Sequence, residues 1–167
     1  LGFNTLRGLA LSHGMESQYS APESPDFRRE EFWNYSLSTA ICSEIIARRL
    51  GLSQERAGEM YSAGQLHACG KAILDQHMHR EFLEILGRVK NEGVTMYQAE
   101  RDQLSLTHCD VGAAVLDNWN LPDPLVAAAR HYYEPEDSAS ETVAIVHLAS
   151  VLTKTKGYGS SGDDSLK

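Results

Sequence analysis

Nowhere in this chain do apolar residues run on for the roughly 18 positions that a membrane-spanning helix needs. The residues after Leu1 carry no basic leader, apolar block and small-residue site of the kind that marks a cleaved signal. Basic side chains are outnumbered, 15 Lys and Arg against 23 Asp and Glu, and the net charge of -8 argues against a nucleic-acid surface. Arg28-Arg29 and Arg48-Arg49 are local exceptions that sit among acids or at helix ends, as solvated helix faces do. Cysteine is scarce: Cys42, Cys69 and Cys109 are far apart and form no Cys-x-x-Cys pair, poor material for a disulfide framework or a structural zinc site. Free cysteines within helical segments behave as small hydrophobes, and a reducing cytoplasm is the simplest setting for them. A glycine-rich phosphate loop, an internal repeat and a two-residue strand alternation are also missing, which leaves an all-α bundle.

What is present is a succession of helix signals in 167 residues, enough for one domain with a proper core. A long helix is expected over about 28–50, with Phe32, Tyr35, Leu37, Ala40, Ile41, Ile45 and Ile46 inward. Arg48 and Arg49 suit its negative end and Gly51 its termination. Ser53 caps the next helix, which should run to about Cys69 and break at Gly70. A short helix or turn over 71–78, an amphipathic helix over 81–90 ending at Asn91-Glu92-Gly93, and a polar helix over 95–104 follow. Thr107 and Asp110 make a capping-box pair, and Asp123-Pro124 opens a further helix. Ser138 and Glu141 read as another capping box, before a segment over 143–152 that is apolar nearly all round and so expected to be central. Residues 158–167, rich in Gly and Ser, read as a flexible tail.

One stretch stands out: Ala63-Gly64-Gln65-Leu66-His67-Ala68-Cys69-Gly70-Lys71. As a helix it puts Ala57, Met60, Tyr61, Gly64 and His67 on one stripe, so His67 faces the core and Gly64 admits a close backbone approach. A histidine there is ordinarily a core residue satisfied by hydrogen bonds. His108 begins the buried stripe of its own helix, and His131 lies beside an apolar face made by Leu125, Ala128, Ala129 and Tyr132. His77 and His79 with Asp75 read as an accidental surface cluster.

Phe32-Trp33-Asn34-Tyr35-Ser36-Leu37, the His67 stretch, Leu106-Thr107-His108-Cys109-Asp110-Val111-Gly112, Trp119-Asn120-Leu121-Pro122, Ala129-Arg130-His131-Tyr132-Tyr133-Glu134-Pro135 and Ala144-Ile145-Val146-His147-Leu148-Ala149-Ser150 follow one another in order. In that order and spacing they resemble the HD-related output domain (HDOD) family, a relative of the HD-type metal phosphohydrolases. The resemblance runs from Leu1 to about Gly157. It implies an HD-like helical domain over 1–157 that is the C-terminal part of a larger unit, since a further helical half normally precedes Leu1-Gly2.

Active HD enzymes hold a metal with an early His, a His-Asp pair and a late Asp, a donor set that acidifies a bound water for attack on phosphorus. Carried over residue by residue, the early His is Tyr35, the pair is His67-Ala68, and the late Asp is Ser150. Only His67 keeps a ligating side chain. His108, His131 and nearby Asp110 match positions where HD-GYP relatives carry extra histidines, so a His67, His108, His131 triad for a histidine-bound transition metal is one expectation. A vestigial pocket without metal is the other, and Lys71, whose ammonium opposes a cation and favours an anion, supports it. The resemblance implies a non-catalytic signal-transduction domain that binds signalling proteins, attached regulatory domains or a small ligand. The alternative is a divergent phosphohydrolase acting on nucleotides or cyclic dinucleotides. Residues 1–15, with Phe3, Leu6, Leu9 and Leu11, carry more apolar surface than one stripe needs, and a homodimer through them is a further expectation.

Overall fold

The computed structural model describes residues 21–163, together with Ala10, His13, Gly14 and Ser17. The expected apolar helix over 1–15 and its homodimer contact fall outside the described residues, apart from three of its positions. Among the described residues the secondary structure is helical, with one isolated bridge between Ser24 and Phe27. The helices are α1 (Arg29–Arg49), α2 (Gln54–Leu66), α3 (Cys69–His77), α4 (His79–Glu92), α5 (Met96–Leu104), α6 (His108–Asn118), α7 (Asp123–His131) and α8 (Glu141–Lys156). A short 3₁₀ turn, Pro135–Asp137, precedes α8. None of these is long and apolar enough to cross a membrane.

Local chemistry sets the helix ends. The Ser53 hydroxyl accepts from the Arg56 N–H at 3.2 Å and starts α2. Thr107 and Asp110 form the complete capping box, each side chain taking the other's backbone N–H. Gly93 stops α4 in the left-handed conformation (φ 69°). The box expected from Ser138 and Glu141 does not form. Ser140 is the residue before α8, and the Ser138 hydroxyl accepts from its N–H at 3.2 Å. Glu141, two positions too early to reach back, pairs with Arg56 at 3.2 Å.

α1 packs along α2 and α8, α3 against α6, and α6 against α7. The buried side of α1 matches the expected one at Phe32, Tyr35 and Ala40 but not elsewhere. Ser36, Thr39, Ala40 and Ser43 are buried, while Leu37, Ile41 and Ile45 are 42%, 46% and 52% exposed. The cause is a close helix crossing. A Cβ placed on Gly64 of α2 would lie 2.8 Å from the Ala40 Cα and 2.9 Å from the Thr39 carbonyl oxygen, so only small side chains fit that face of α1. Likewise α8 is buried on one side only, through Val143, Val146, Ala149 and Ser150, and Leu148 and Leu152 are exposed. It is an outer helix.

Gly70 does not break a helix. The break falls at His67-Ala68, where Ala68 leaves helical geometry (φ −105°, ψ 12°), and Gly70 lies in the first turn of α3. Its lack of a side chain serves packing: an added Cβ would lie 2.8 Å from the Gly112 nitrogen and closer still to the His108 carbonyl oxygen. α3 and α6 therefore touch backbone to backbone at Gly70 and Gly112. The segment after α8 is also not a loose tail as far as Asp163. Ser161 and Asp163 are buried, and the Ser160 N–H donates to the Glu31 carbonyl at 3.0 Å.

Candidate functional site: a buried tyrosine and histidine core

Tyr35 from α1, His67 at the α2–α3 break, His108 at the start of α6 and Tyr132 at the end of α7 meet in the interior, each at most 3% exposed. The Tyr132 ring stands edge-on to His67 (centroids 4.5 Å apart, 85°) and is tilted against His108 at 5.8 Å. Tyr132 is thus the wedge that joins the two histidines.

Hydrogen bonding fixes the tautomer of His67. His67 Nδ1 lies 2.6 Å from the Gly64 carbonyl oxygen, which can only accept, so Nδ1 carries the proton. Nε2 is then the acceptor for the Tyr35 hydroxyl at 3.1 Å. His108 Nδ1 lies 2.6 Å from Glu100 Oε2, and its Nε2 lies 2.7 Å from the Tyr132 hydroxyl. Glu100, with its side chain fully buried, also takes the His108 backbone N–H at 3.1 Å. A backbone strut holds Tyr132 in place, because His147 Nδ1 donates to the Tyr132 carbonyl at 2.8 Å.

Burial dominates the electrostatics here. It drives the His67 imidazole down to about 3, with the charges of Lys71 and Lys154 pushing the same way against the Gly64 hydrogen bond. Burial and then the Asp163 charge raise the Tyr35 phenol far above its ordinary value. Tyr132 is raised chiefly by burial. His67, Tyr35 and Tyr132 are therefore neutral hydrogen-bonding groups near neutral pH.

A divalent metal does not fit this donor set. Both nitrogens of His67 and both of His108 are already committed to protein partners, and the Tyr35 hydroxyl takes the His67 lone pair that a metal would need. Ala68, fully buried, offers no donor atom. Ser150, beside the Tyr35 hydroxyl, gives its own proton to the His147 carbonyl at 2.8 Å. Among the described residues no group of three His, Cys, Asp or Glu side chains is arranged to hold a metal. The expected His67, His108, His131 triad is not assembled, because the residue that enters between the first two is Tyr132. His131, one position earlier, points a different way around the helix and ends half-buried. Asp110 is spent on the capping box and lies 4.0 Å from Arg130.

Lys71 is fully buried one turn beyond this core. Its ammonium donates to the Ser161 carbonyl at 3.0 Å and to Asp163 Oδ2 at 3.3 Å. Lys154 of α8 donates to Asp163 Oδ1 at 2.5 Å. Burial alone would raise the Asp163 carboxyl, but the two lysines outweigh it and hold the group well below the usual carboxylate range. The sequence reading missed Tyr132, Glu100, Lys154 and Asp163 as site residues. Tyr132 was legible as part of an apolar face. Glu100 sits in a short polar helix, and nothing local ties it to a histidine eight residues later. The last pair, on α8 and in a glycine- and serine-rich segment, carries no periodic signal. Asp75 of the presumed surface cluster is in fact buried and accepts from His79 Nδ1 at 2.8 Å.

The comparisons with known proteins agree with this architecture. A family model, the HDOD domain, matches residues 1–135. The chain is 24% identical to an HDOD domain protein of unknown function from Geobacter sulfurreducens, with a TM-score of 0.83 over 100% of this chain and 56% of that one. A candidate signal transduction protein from Marinobacter aquaeolei aligns with a TM-score of 0.77 at 22% identity, over 100% of this chain and 38% of its own. An uncharacterized protein of Treponema pallidum is 20% identical across 133 residues, 80% of this chain and 26% of that protein. The chain thus spans about half of the Geobacter protein and about a quarter of the Treponema one. With a family model covering most of its length, this chain belongs to the HDOD domain family.

Proposed function

We propose that this domain works in signal transduction without catalysis, binding a protein partner or a small ligand and passing its state to attached regulatory domains. The observation that carries this reading is the Tyr35 hydroxyl on His67 Nε2, at 3.1 Å. It turns the one retained metal-ligand position into a hydrogen-bonded packing element. Ala68 and Ser150 complete the replacement, since neither supplies the carboxylate oxygen that hard divalent ions require. What remains is a hydrogen-bonded interior, suited to holding the helices in register rather than to activating water. The three free cysteines and the acidic balance suit a cytoplasmic setting without nucleic-acid partners.

The test is a pair of measurements on protein purified without a histidine tag. Hydrolysis of bis(p-nitrophenyl) phosphate and of cyclic dinucleotides, with Mn²⁺, Mg²⁺ or Zn²⁺ supplied, should stay at the rate of buffer alone. Elemental analysis should find no stoichiometric transition metal. Metal-dependent turnover that disappears in His67→Ala would replace this reading with the phosphohydrolase one.

A further inference from the structure

The Asp163 carboxylate is held as a bound ligand would be. Two ammonium groups grip its two oxygens from different helices, Lys71 from α3 and Lys154 from α8, and the Ser161 hydroxyl adds a third hydrogen bond at 2.7 Å. The carboxylate and the Lys71 side chain are fully buried, and Lys154 is 13% exposed. The site adjoins the degenerate core: the Asp163 charge acts on Tyr35 and Tyr132, and the two lysine charges act on His67. Where an HD enzyme would present a divalent cation, this chain presents two lysines around an anion.

The segment that delivers Asp163 is short and attached from outside. Gly157, Gly159 and Gly162, all at positive φ (69°, 75° and 80°), steer it back from the end of α8 onto the start of α1. Besides the two lysines and the Ser160–Glu31 bond, it is held by close packing of Gly159 on the α1 backbone at Glu31 and Tyr35 and of Gly162 on the Phe27 ring. A cleft of about 480 Å³, lined by Pro25, Lys90 and Val94 on one side and by Ser160, Gly162 and Asp163 on the other, runs along it. An incoming molecule can therefore reach the segment without first opening the helical core.

We propose that Lys71 and Lys154 form an oxyanion site for a phosphate or carboxylate group, and that Asp163 fills it as a displaceable internal ligand. The proposal deepens the ligand-binding reading above and rests on it only for the consequence, release of the 158–163 segment as the signal. Two buried lysines that lose their anion would leave unpaired charge inside the protein, which is costly, so exchange of one anion for another is the accessible change. A phosphate group brings more charge and one more acceptor oxygen than a carboxylate, and suits two ammonium groups better. A tethered competitor acts at an effective concentration on the order of millimolar, so a free anion must match that in the wild-type chain.

Binding of inorganic phosphate, with acetate as the carboxylate arm and chloride as the ionic-strength control, tests this on the full chain by titration calorimetry. Asp163→Asn should bind phosphate at least tenfold more tightly than wild type, and Asp163→Asn with Lys71→Met should lose that binding. Stronger binding of acetate than phosphate would assign the site to carboxylates. Should Asp163→Asn fail to fold, hydrogen exchange on the wild type decides. Phosphate should speed exchange of the Ser160 N–H saturably, while N–H groups inside α1 stay protected and chloride has no effect. A folded Asp163→Asn chain with unchanged phosphate affinity, or a Ser160 N–H indifferent to phosphate, would overturn the proposal. Neither readout involves turnover, so the non-catalytic reading stands or falls separately on its own assay.

Discussion

Replacing Gly70 by alanine forces a methyl group into the backbone contact between α3 and α6. The new Cβ would sit 2.8 Å from the Gly112 nitrogen and from the His108 carbonyl carbon, against the 3.4 Å or more of ordinary contact. These neighbours, and the His108 carbonyl oxygen that lies closer still, are backbone, so no side chain can swing away and the helices must separate by more than an ångström. Overpacking usually costs about 1–3 kcal/mol, and a rigid site belongs at the top of that range. Alanine returns about 1 kcal/mol through its better helix propensity, leaving a net loss of about 2 kcal/mol. For a domain of this size that is a fall of roughly 4–8 °C in melting temperature. Two other glycines calibrate the result. Gly112→Ala meets the Gly70 nitrogen at 3.2 Å and should cost less, and Gly87→Ala, with nothing within 4 Å in the middle of α4, should stabilise by about 0.5–1 kcal/mol. Urea unfolding of the three variants gives the order directly. A Gly70→Ala protein within about 0.5 kcal/mol of wild type would show that the α3–α6 contact is not as tight as described.

Two further outcomes follow from the buried site. The His67 imidazole is held at about 3 in the folded chain and titrates near 6.5 once unfolded, so the unfolded state alone takes up a proton between these values. Its contribution is therefore complete above pH 6.5 and is lost as pH falls toward 3, at roughly 1 kcal/mol per pH unit. His67→Gln should be less stable at pH 7.5 but lose stability more slowly down to pH 5, and parallel urea-midpoint slopes for the two proteins would contradict this. The cysteines should separate by reactivity. Burial raises all three thiols, but Cys42 is only partly buried, while Cys69 is pushed up to about 12 and Cys109 well above its ordinary value. Iodoacetamide at pH 8 followed by peptide mass spectrometry should label Cys42 first and the other two only as the chain unfolds; early labelling of Cys109 would refute the packing around α6.

The fold was legible wherever a backbone end needs a particular side chain. Ser53, Thr107 with Asp110, and Gly93 announce helix ends because unsatisfied N–H and carbonyl groups at those ends have few chemical remedies. Helix faces were harder to read. Of the inward set on α1, Phe32, Tyr35 and Ala40 are buried but Leu37, Ile41 and Ile45 are not, and the side that faces α2 is completed by Ser36, Thr39 and Ser43. Periodicity detects hydrophobicity, whereas a close crossing selects for smallness. Gly70 shows the same ambiguity, since a glycine that ends a helix and one that lets a second helix approach look alike in sequence. At the site, His67 and His108 were expected to be buried and are. Their partners Glu100 and Tyr132 come from other helices, so their pairing is a property of the packing and leaves no local trace. Asp163 was hidden because a flexible composition also suits a segment that must turn sharply to dock.

The ion pair at Lys71 has a bearing on when the centre of this domain closes during synthesis. Its two acceptors lie 90 and 92 residues further along the chain. At translation rates of about 5–20 residues per second, Lys71 spends roughly five to twenty seconds on the nascent chain before Asp163 is even made. In that interval α3 cannot bury its ammonium against its own carboxylate, so the nascent helix must keep Lys71 in contact with water or with a soluble anion. A segment made 90 residues after Lys71 thus closes the centre of the domain, and removing Asp163 would leave that centre with an open seam.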